Sequence, residues 1–250
     1  MSQREIAVVT GASSGIGAAT ALLLAKNGFH VIAAARRMDR LETLAKAGSN
    51  IEIVELDVTN QVQVDSLAAY LAGKPVSVLV NNAGGAFDSL DILNSDPDLW
   101  RKTYEVNVIG TVRMVKAITP IMQIFGRGHV VVMSSTAGHR TYENGGSYVA
   151  AKHAERTIAE TLRLEVNGQP IRVTEIAPGM VKTEEFAKVR FHGDMDKASK
   201  TYEGIAEPLV AADIAEAIRW AVMLPPHVNI DSMTIRPVAQ AANHKVHRTK

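Results

Sequence analysis

Tyr148 is followed four residues later by Lys152, and Ser135 stands thirteen residues before the tyrosine. Residues four apart on a helix share a face. An ammonium beside a phenol favours the phenolate, so this spacing predicts a Tyr148 pKa pulled down from about 10. A tyrosine tuned in this way exchanges a proton with an alcohol near neutral pH. Ser135 adds a hydroxyl that can donate to a substrate oxygen as charge develops there. No G-x-S-x-G elbow surrounds Ser134 or Ser135, so nothing points to acyl transfer, and Ser134 reads as a structural turn residue.

A second group of residues suits a nucleotide. Thr10-Gly11-Ala12-Ser13-Ser14-Gly15-Ile16-Gly17 follows an apolar run and opens a helical pattern. Its glycines permit close backbone approach, and the free N–H groups of a helix start then face a diphosphate. The spacing is G-x-x-x-G-x-G rather than G-x-G-x-x-G. Farther on, Ala33-Ala34-Ala35-Arg36-Arg37 carries two arginines where NAD enzymes place an acidic residue for the ribose 2′-hydroxyl. Arginine forks match a phosphate, and positive charge at a helix start opposes the macrodipole unless an anion compensates it. A 2′-phosphate is such an anion, so the expected cofactor is NADP(H). Asp57, in Leu56-Asp57-Val58, either meets the adenine amino group or caps the helix that starts near Asn60. Asn81-Asn82-Ala83-Gly84-Gly85 offers small residues and amides at a strand end. Asn107 lies in an apolar helical stretch, where a buried amide needs partners. Together these residues imply an enzyme that moves a hydride to or from a nicotinamide while a tyrosine handles the proton.

The elements that position them follow from periodicity. Short β-branched runs at Ile6–Val9, His30–Ala33, Ile51–Val54, Val76–Val80, His129–Val132, Ile171–Ile176 and Met233–Ile235 alternate with helical patterns. The helices include Ala18–Lys26, Gln61–Leu71, Leu99–Ile124, Tyr148–Val166 and Ala212–Met223. Continuous apolar strands between helices predict a single α/β domain, a Rossmann-type doubly wound parallel sheet of about seven strands flanked by helices. A polar stretch near 184–210 interrupts the alternation and reads as a loop insertion over the site.

Composition narrows the class further. The 250 residues are 46% hydrophobic, and 27 basic against 26 acidic side chains give a net charge of +1. This balance calls for neither nucleic acid nor an anionic membrane. There is no cysteine, which excludes disulfides and thiolate chemistry and fits a reducing compartment. The N-terminus lacks the pattern of a signal peptide, and no apolar run reaches the roughly 18 residues of a membrane span. The expectation is a cytoplasmic enzyme with a small-molecule substrate and no metal. His244 and His247 read as part of a solvated or subunit-docking tail.

TGASSGIG, NNAG, Asn107, Ser135, Tyr148-x-x-x-Lys152 and Pro178-Gly179, in that order, resemble the classical short-chain dehydrogenase/reductase family along essentially the whole chain. The resemblance implies that Tyr148 is the acid/base, that Lys152 lowers its pKa and binds the nicotinamide ribose, and that Ser135 orients the substrate oxygen. Asn107 would hold a water in the proton relay. Gly11, Ser13, Ser14, Gly15, Ile16, Gly17, Arg36, Arg37, Asp57, Val58, Asn82, Ala83, Gly84 and the segment from Pro178 and Gly179 through Val181 and Thr183 to Glu184 would line NADP. A homotetramer is the expected assembly. Val189-Arg190-Phe191, Lys200-Thr201-Tyr202 and the C-terminal segments are similar to the NADP-dependent 3-hydroxy acid dehydrogenases, whose members also act on serine. That similarity puts Arg190 at the substrate carboxylate, with Arg140 and Lys182 as rivals. The Val181-Lys182-Thr183 stretch departs from that subgroup. Reduction of sulfoacetaldehyde-like or bulkier carbonyls, and cofactor sensing without turnover, are the alternative readings.

Overall fold

In the strand β1 (Ile6–Thr10), Ile6 and Val8 face one apolar core while Ala7 and Val9 face another. Side chains alternate across a strand, so a run that is apolar at every position must be covered on both faces. The computed structural model describes residues 4–249, apart from 184, 186–188, 191 and 192. It contains β2 (His30–Ala35), β3 (Ile51–Glu55), β4 (Val76–Asn81), β5 (Gly128–Met133), β6 (Ile171–Pro178), β7 (Val181–Lys182), β8 (Leu209–Val210) and β9 (Ser232–Ile235). Seven of these form one sheet in the order β3-β2-β1-β4-β5-β6-β9, and each neighbouring pair is parallel. This is the expected doubly wound α/β fold. The winding reverses between β1 and β4, and a crevice opens at the carboxyl ends of these strands.

One face is covered by α1 (Gly15–Lys26), α2 (Met38–Ala47) and the helix Ala211–Met223, through Leu24, Leu41, Ile214 and Ile218. The other is covered by α3 (Gln61–Leu71), α5 (Gly110–Phe125) and α6 (Gly146–Glu165). Burying each Leu, Ile or Met side chain of this kind stabilises the fold by about 1.5–3 kcal/mol. The N-cap of α3 is Asn60, whose side chain accepts from the Gln63 N–H. Asp57 therefore does not cap the helix; its carboxylate instead accepts from the backbone and hydroxyl of Thr59.

The single helix expected over Leu99–Ile124 is interrupted. It begins as α4 (Pro97–Tyr104), widens into a π turn at Glu105–Ile109 and continues as α5. Taken together, Pro97–Phe125 is long and apolar enough to cross a membrane by length and composition, which corrects the expectation that no segment reaches that length. Packing accounts for the composition: Met114, Ile118 and Met122 are wholly buried in the core beneath β4 and β5. The polar stretch near 184–210 lies between β7 and β8, which pair with each other beside the main sheet. It includes a short helix, Met195–Lys200.

Candidate active site

The glycine turn connects β1 to α1, and neighbouring side chains fix its shape. Thr10 Oγ1 accepts from the N–H groups of Asn82 and Ala83 at 3.0 Å each. Asn82 Nδ2 donates to Thr10 O at 2.9 Å. The turn is thus tied to the end of β4. Gly11 has φ +66°, and a Cβ there would stand 2.8 Å from Asn82 Nδ2 and 2.9 Å from Ala83 Cα. Only glycine combines that backbone with that approach. Gly17 lies beneath the turn, where a Cβ would meet Asn82 Nδ2 at 2.5 Å.

The start of α1 has been left open to an anion. Ser14 is the N-cap, yet its side chain makes no capping hydrogen bond, and the first turn holds no acidic residue. Uncapped N–H groups and the positive helix end then face the crevice. The Ser14 hydroxyl accepts instead from Arg37 at 2.8 Å, and Ser13 accepts from the same guanidinium at 3.0 and 3.2 Å. Arg37 also donates to Glu185 at 2.7 Å, and Arg40 donates to the other Glu185 oxygen at 2.7 Å. Partial burial pushes the Glu185 carboxyl up, but hydrogen bonds from Arg40 and Arg37 outweigh it and hold the group below its ordinary value. This carboxylate is the compensating anion at the start of α2. Arg36 also borders the cleft, two-thirds exposed, with Asp57 3.9 Å distant. The backbone cradle, the uncapped helix start and the paired guanidinium groups fit a dinucleotide carrying an extra phosphate.

At the other end of the crevice, Ser135 follows β5 and Tyr148 and Lys152 project from the first turns of α6. The Ser135 hydroxyl is hydrogen bonded to Tyr148. It also accepts from Ala137 N at 3.1 Å and donates to Pro178 O at 3.3 Å. Gly138 lets the serine turn pack on α6: a Cβ there would stand 2.5 Å from Ser134 Oγ and 2.7 Å from Lys152 O. Lys152 Nζ lies 5.5 Å from the Tyr148 ring centre and donates to Met133 O at 2.8 Å.

The expected downward pull on Tyr148 is not what the structure gives. Burial raises its pKa, the charges of Tyr142 and Glu155 add to this, and the Ser135 hydrogen bond and Arg190 oppose it. The reason is dielectric and local pairing: the phenol is nearly sealed from solvent, and Lys152 Nζ sits 2.6 Å from Glu155 Oε2.

Among the described residues, all of those singled out for cofactor, proton and substrate line one cleft of about 530 Å³, except Gly17, Asn107 and the carboxylate-site rivals Arg140 and Lys182. Glu184 falls outside the described residues. Asn107 is fully buried in the π turn, a conformation that recurs at functional sites. Its amide accepts from Gly85 N at 3.1 Å and donates to Gly85 O and Thr103 O at 2.9 and 2.7 Å. It therefore clamps the loop after β4. Arg190 reaches the cleft beside Tyr142, donating to the phenol at 3.5 Å and to Asn144 O at 3.3 Å. Of its rivals, Arg140 and Lys182 are exposed and do not line the cleft.

Several residues of the site escaped the sequence reading. Arg40, which holds Glu185 without lining the cleft, had a signal, since it follows Arg37 by three residues at a helix start. Glu185 and Tyr142 had none beyond their nearness to singled-out residues. The C-terminal segment contributes Gln240, which accepts from Met180 N at 2.8 Å, and Asn243, which donates to Thr136 O and Arg140 O at 3.1 and 2.9 Å. The tail thus forms part of the wall. Among the described residues no cluster of His, Asp and Glu is arranged to hold a metal ion.

A glycine turn at the switch point and a Ser–Tyr–Lys group in the same cleft define a class, and comparison with known proteins identifies it. The chain belongs to the short chain dehydrogenase family, whose model matches residues 5–192. An uncharacterized oxidoreductase of Mycobacterium tuberculosis is 47% identical over 96% of this chain and 94% of its own. The NADP-dependent 3-hydroxy acid dehydrogenase YdfG of Salmonella typhi is 39% identical over 98% of this chain and 100% of its own. Among solved structures, the closed form of a serine dehydrogenase complexed with NADP+ superposes with a TM-score of 0.91 at 37% identity, covering 98% of this chain and 100% of that one.

Proposed function

We propose that the protein is an NADP(H)-dependent oxidoreductase that interconverts a small hydroxy acid, of the 3-hydroxy acid or serine type, and its carbonyl form. The observation that carries this is one cleft with a guanidinium-lined anion site at one end and Ser135, Tyr148 and Lys152 at the other. The likeness to a 3-hydroxy acid dehydrogenase and a serine dehydrogenase supports the substrate class.

In this reading the backbone from Gly11 to Ile16 and the start of α1 hold the diphosphate. Arg37, with Arg36 nearby, holds the 2′-phosphate, and Asp57 and Val58 border the adenine. Asn82, Ala83, Gly84, Tyr148, Lys152 and the segment Pro178 to Thr183 border the nicotinamide half. The bound cofactor supplies the hydride acceptor or donor. Tyr148 takes the hydroxyl proton of an alcohol or returns it to a carbonyl oxygen, and Ser135 donates to that same oxygen. Asn107 holds the loop under the reacting centre and orders the proton path. Arg190 pairs with the substrate carboxylate, because a planar guanidinium suits bidentate carboxylate recognition.

A panel of hydroxy acids, neutral alcohols and aldehydes assayed with NADP(H) and NAD(H) tests this reading. Turnover should be highest with NADP(H) and small carboxylate-bearing substrates. Preference for bulky neutral carbonyls would move the protein to the alternative reductase reading, and absence of any turnover would make it a sensor. The same reading makes the enzyme a cytoplasmic homotetramer. Tyr104 and Ile124 on the long helix and Leu164 on α6 leave apolar surface exposed, and sedimentation showing only a 26.9 kDa species at micromolar concentration would sink the assembly.

A further inference from the structure

Lys152 shares its pocket with a carboxyl group that the proton chemistry above does not use. Glu155 lies one turn further along α6, its Oε2 2.6 Å from Lys152 Nζ, and the two side chains are 1% and 6% exposed. Among the described residues no other hydrogen-bond donor reaches either Glu155 oxygen. Burying an ion pair costs more than filling the same space with an apolar side chain. A core helix therefore has no packing reason to keep a glutamate here.

We propose that Glu155 sets the charge of the Tyr148–Lys152 couple: ionised, its carboxylate neutralises the Lys152 ammonium, and protonated, it leaves that charge to stabilise the Tyr148 phenolate. This is a positioning role exerted through Lys152, and it rests on reading Tyr148 as the acid/base. The covalent chemistry is unchanged: the alcohol proton goes to the Tyr148 oxygen, a bound nicotinamide cofactor would accept the hydride, and Glu155 gains or loses only its own proton.

The surroundings allow Glu155 to change state. Burial pushes its pKa up to about 7, against the pull of Lys152 and with the charge of Glu175 adding. The negative charge on Glu155 in turn raises Tyr148, so the charge state of one bears on the other. Glu175, on β6, accepts from Ser232 at 2.6 Å and pairs at 3.0 Å with His139, which is 23% exposed. Of the other titratable groups on elements packed against α6, Tyr104 on α4 is exposed, Arg172 on β6 donates to Ala221 O and Val222 O, and the rest have partners elsewhere. His129 on β5 meets Thr174, Glu105 in the π turn meets Arg113, Asp98 and Arg101 on α4 meet each other, and Lys102 lies over Phe87. Asp88 accepts from Ser147 at the start of α6.

Two measurements on Glu155→Gln and Glu155→Met test the proposal, two variants being used so that one folded protein suffices. The first follows Tyr148 directly, without substrate, as the near-ultraviolet tyrosinate absorbance lost when Tyr148→Phe is added to each background. Removing the carboxylate should lower the Tyr148 titration by about one unit or more, and Glu155→Asp should move it back toward the native value. The second is the pH profile of kcat/KM for alcohol oxidation, whose acidic limb should move the same way. A titration and limb that stay in place, with activity unchanged or uniformly reduced, would overturn the proposal. Failure of the acid/base reading itself looks different: Tyr148 would still titrate lower in the variants, but Tyr148→Phe would not slow turnover.

Discussion

The two ends of the cleft use charge under opposite conditions. At the phosphate end Arg36, Arg37 and Arg40 are between about one-third and two-thirds exposed, and their partners are the Ser13 and Ser14 hydroxyls and the Asp57 and Glu185 carboxylates. At the chemical end Tyr148, Lys152, Glu155 and Asn107 are all buried. Solvent screens the first set, so each contact there adjusts affinity by a modest amount. The second set sits in a low dielectric, where adding or removing one charge changes which atom holds a proton. On the proposed reading, a site built in this way would recognise its cofactor with replaceable parts and do its chemistry with parts that depend on one another.

The largest expected effect tests the buried end. Tyr148→Phe keeps the ring and removes the exchangeable proton, so kcat should fall by about 10²–10⁴-fold while NADP affinity stays near native. Steady-state kinetics beside a cofactor titration would read both. Near-normal turnover would remove Tyr148 from the mechanism and end the contrast.

A smaller effect belongs to the exposed end. Neutralising Arg37 and Arg40 together should cut the NADP-over-NAD preference by an order of magnitude or more, since a charge-assisted contact is worth about 1.5–3 kcal/mol. kcat with saturating cofactor should change little. Equal loss of both cofactors would mean that the arginines merely brace the turn through Ser13 and Ser14.

The smallest effect sharpens the comparison by its sign. Glu185 occupies both guanidinium groups, so any phosphate there must displace it. Glu185→Gln should tighten NADP binding several-fold and leave NAD binding nearly unchanged, measured by calorimetry at low and moderate salt. Weaker NADP binding would show that the carboxylate organises the arginines instead of competing with the phosphate.

How much of this was legible depended on the kind of information each feature needs. Strand alternation and the glycine turn are local, so the sheet, the cleft and the Ser135–Tyr148–Lys152 set could be read from spacing. The effect of Lys152 on Tyr148 could not, because spacing carries no dielectric and Glu155, three residues on, looks like any surface pair on a helix. Arg37 and Glu185 are 148 residues apart, a contact that exists only once the chain is folded. The π turn also left no periodic signature: Leu99–Ile124 looks like one helix because its apolar face continues across the widened turn.

Gly138 has a consequence for how such an enzyme can diversify. The serine-bearing turn and the tyrosine-bearing helix touch where a single methyl group would collide with both. Any larger residue must push them apart and lengthen the span between Ser135 and Tyr148, so drift at this position is closed while the walls formed by Arg190, Tyr142 and the C-terminal segment remain open to it. On the proposed reading, new substrates would then be reached by altering the rim while the Ser135–Tyr148 spacing stays fixed.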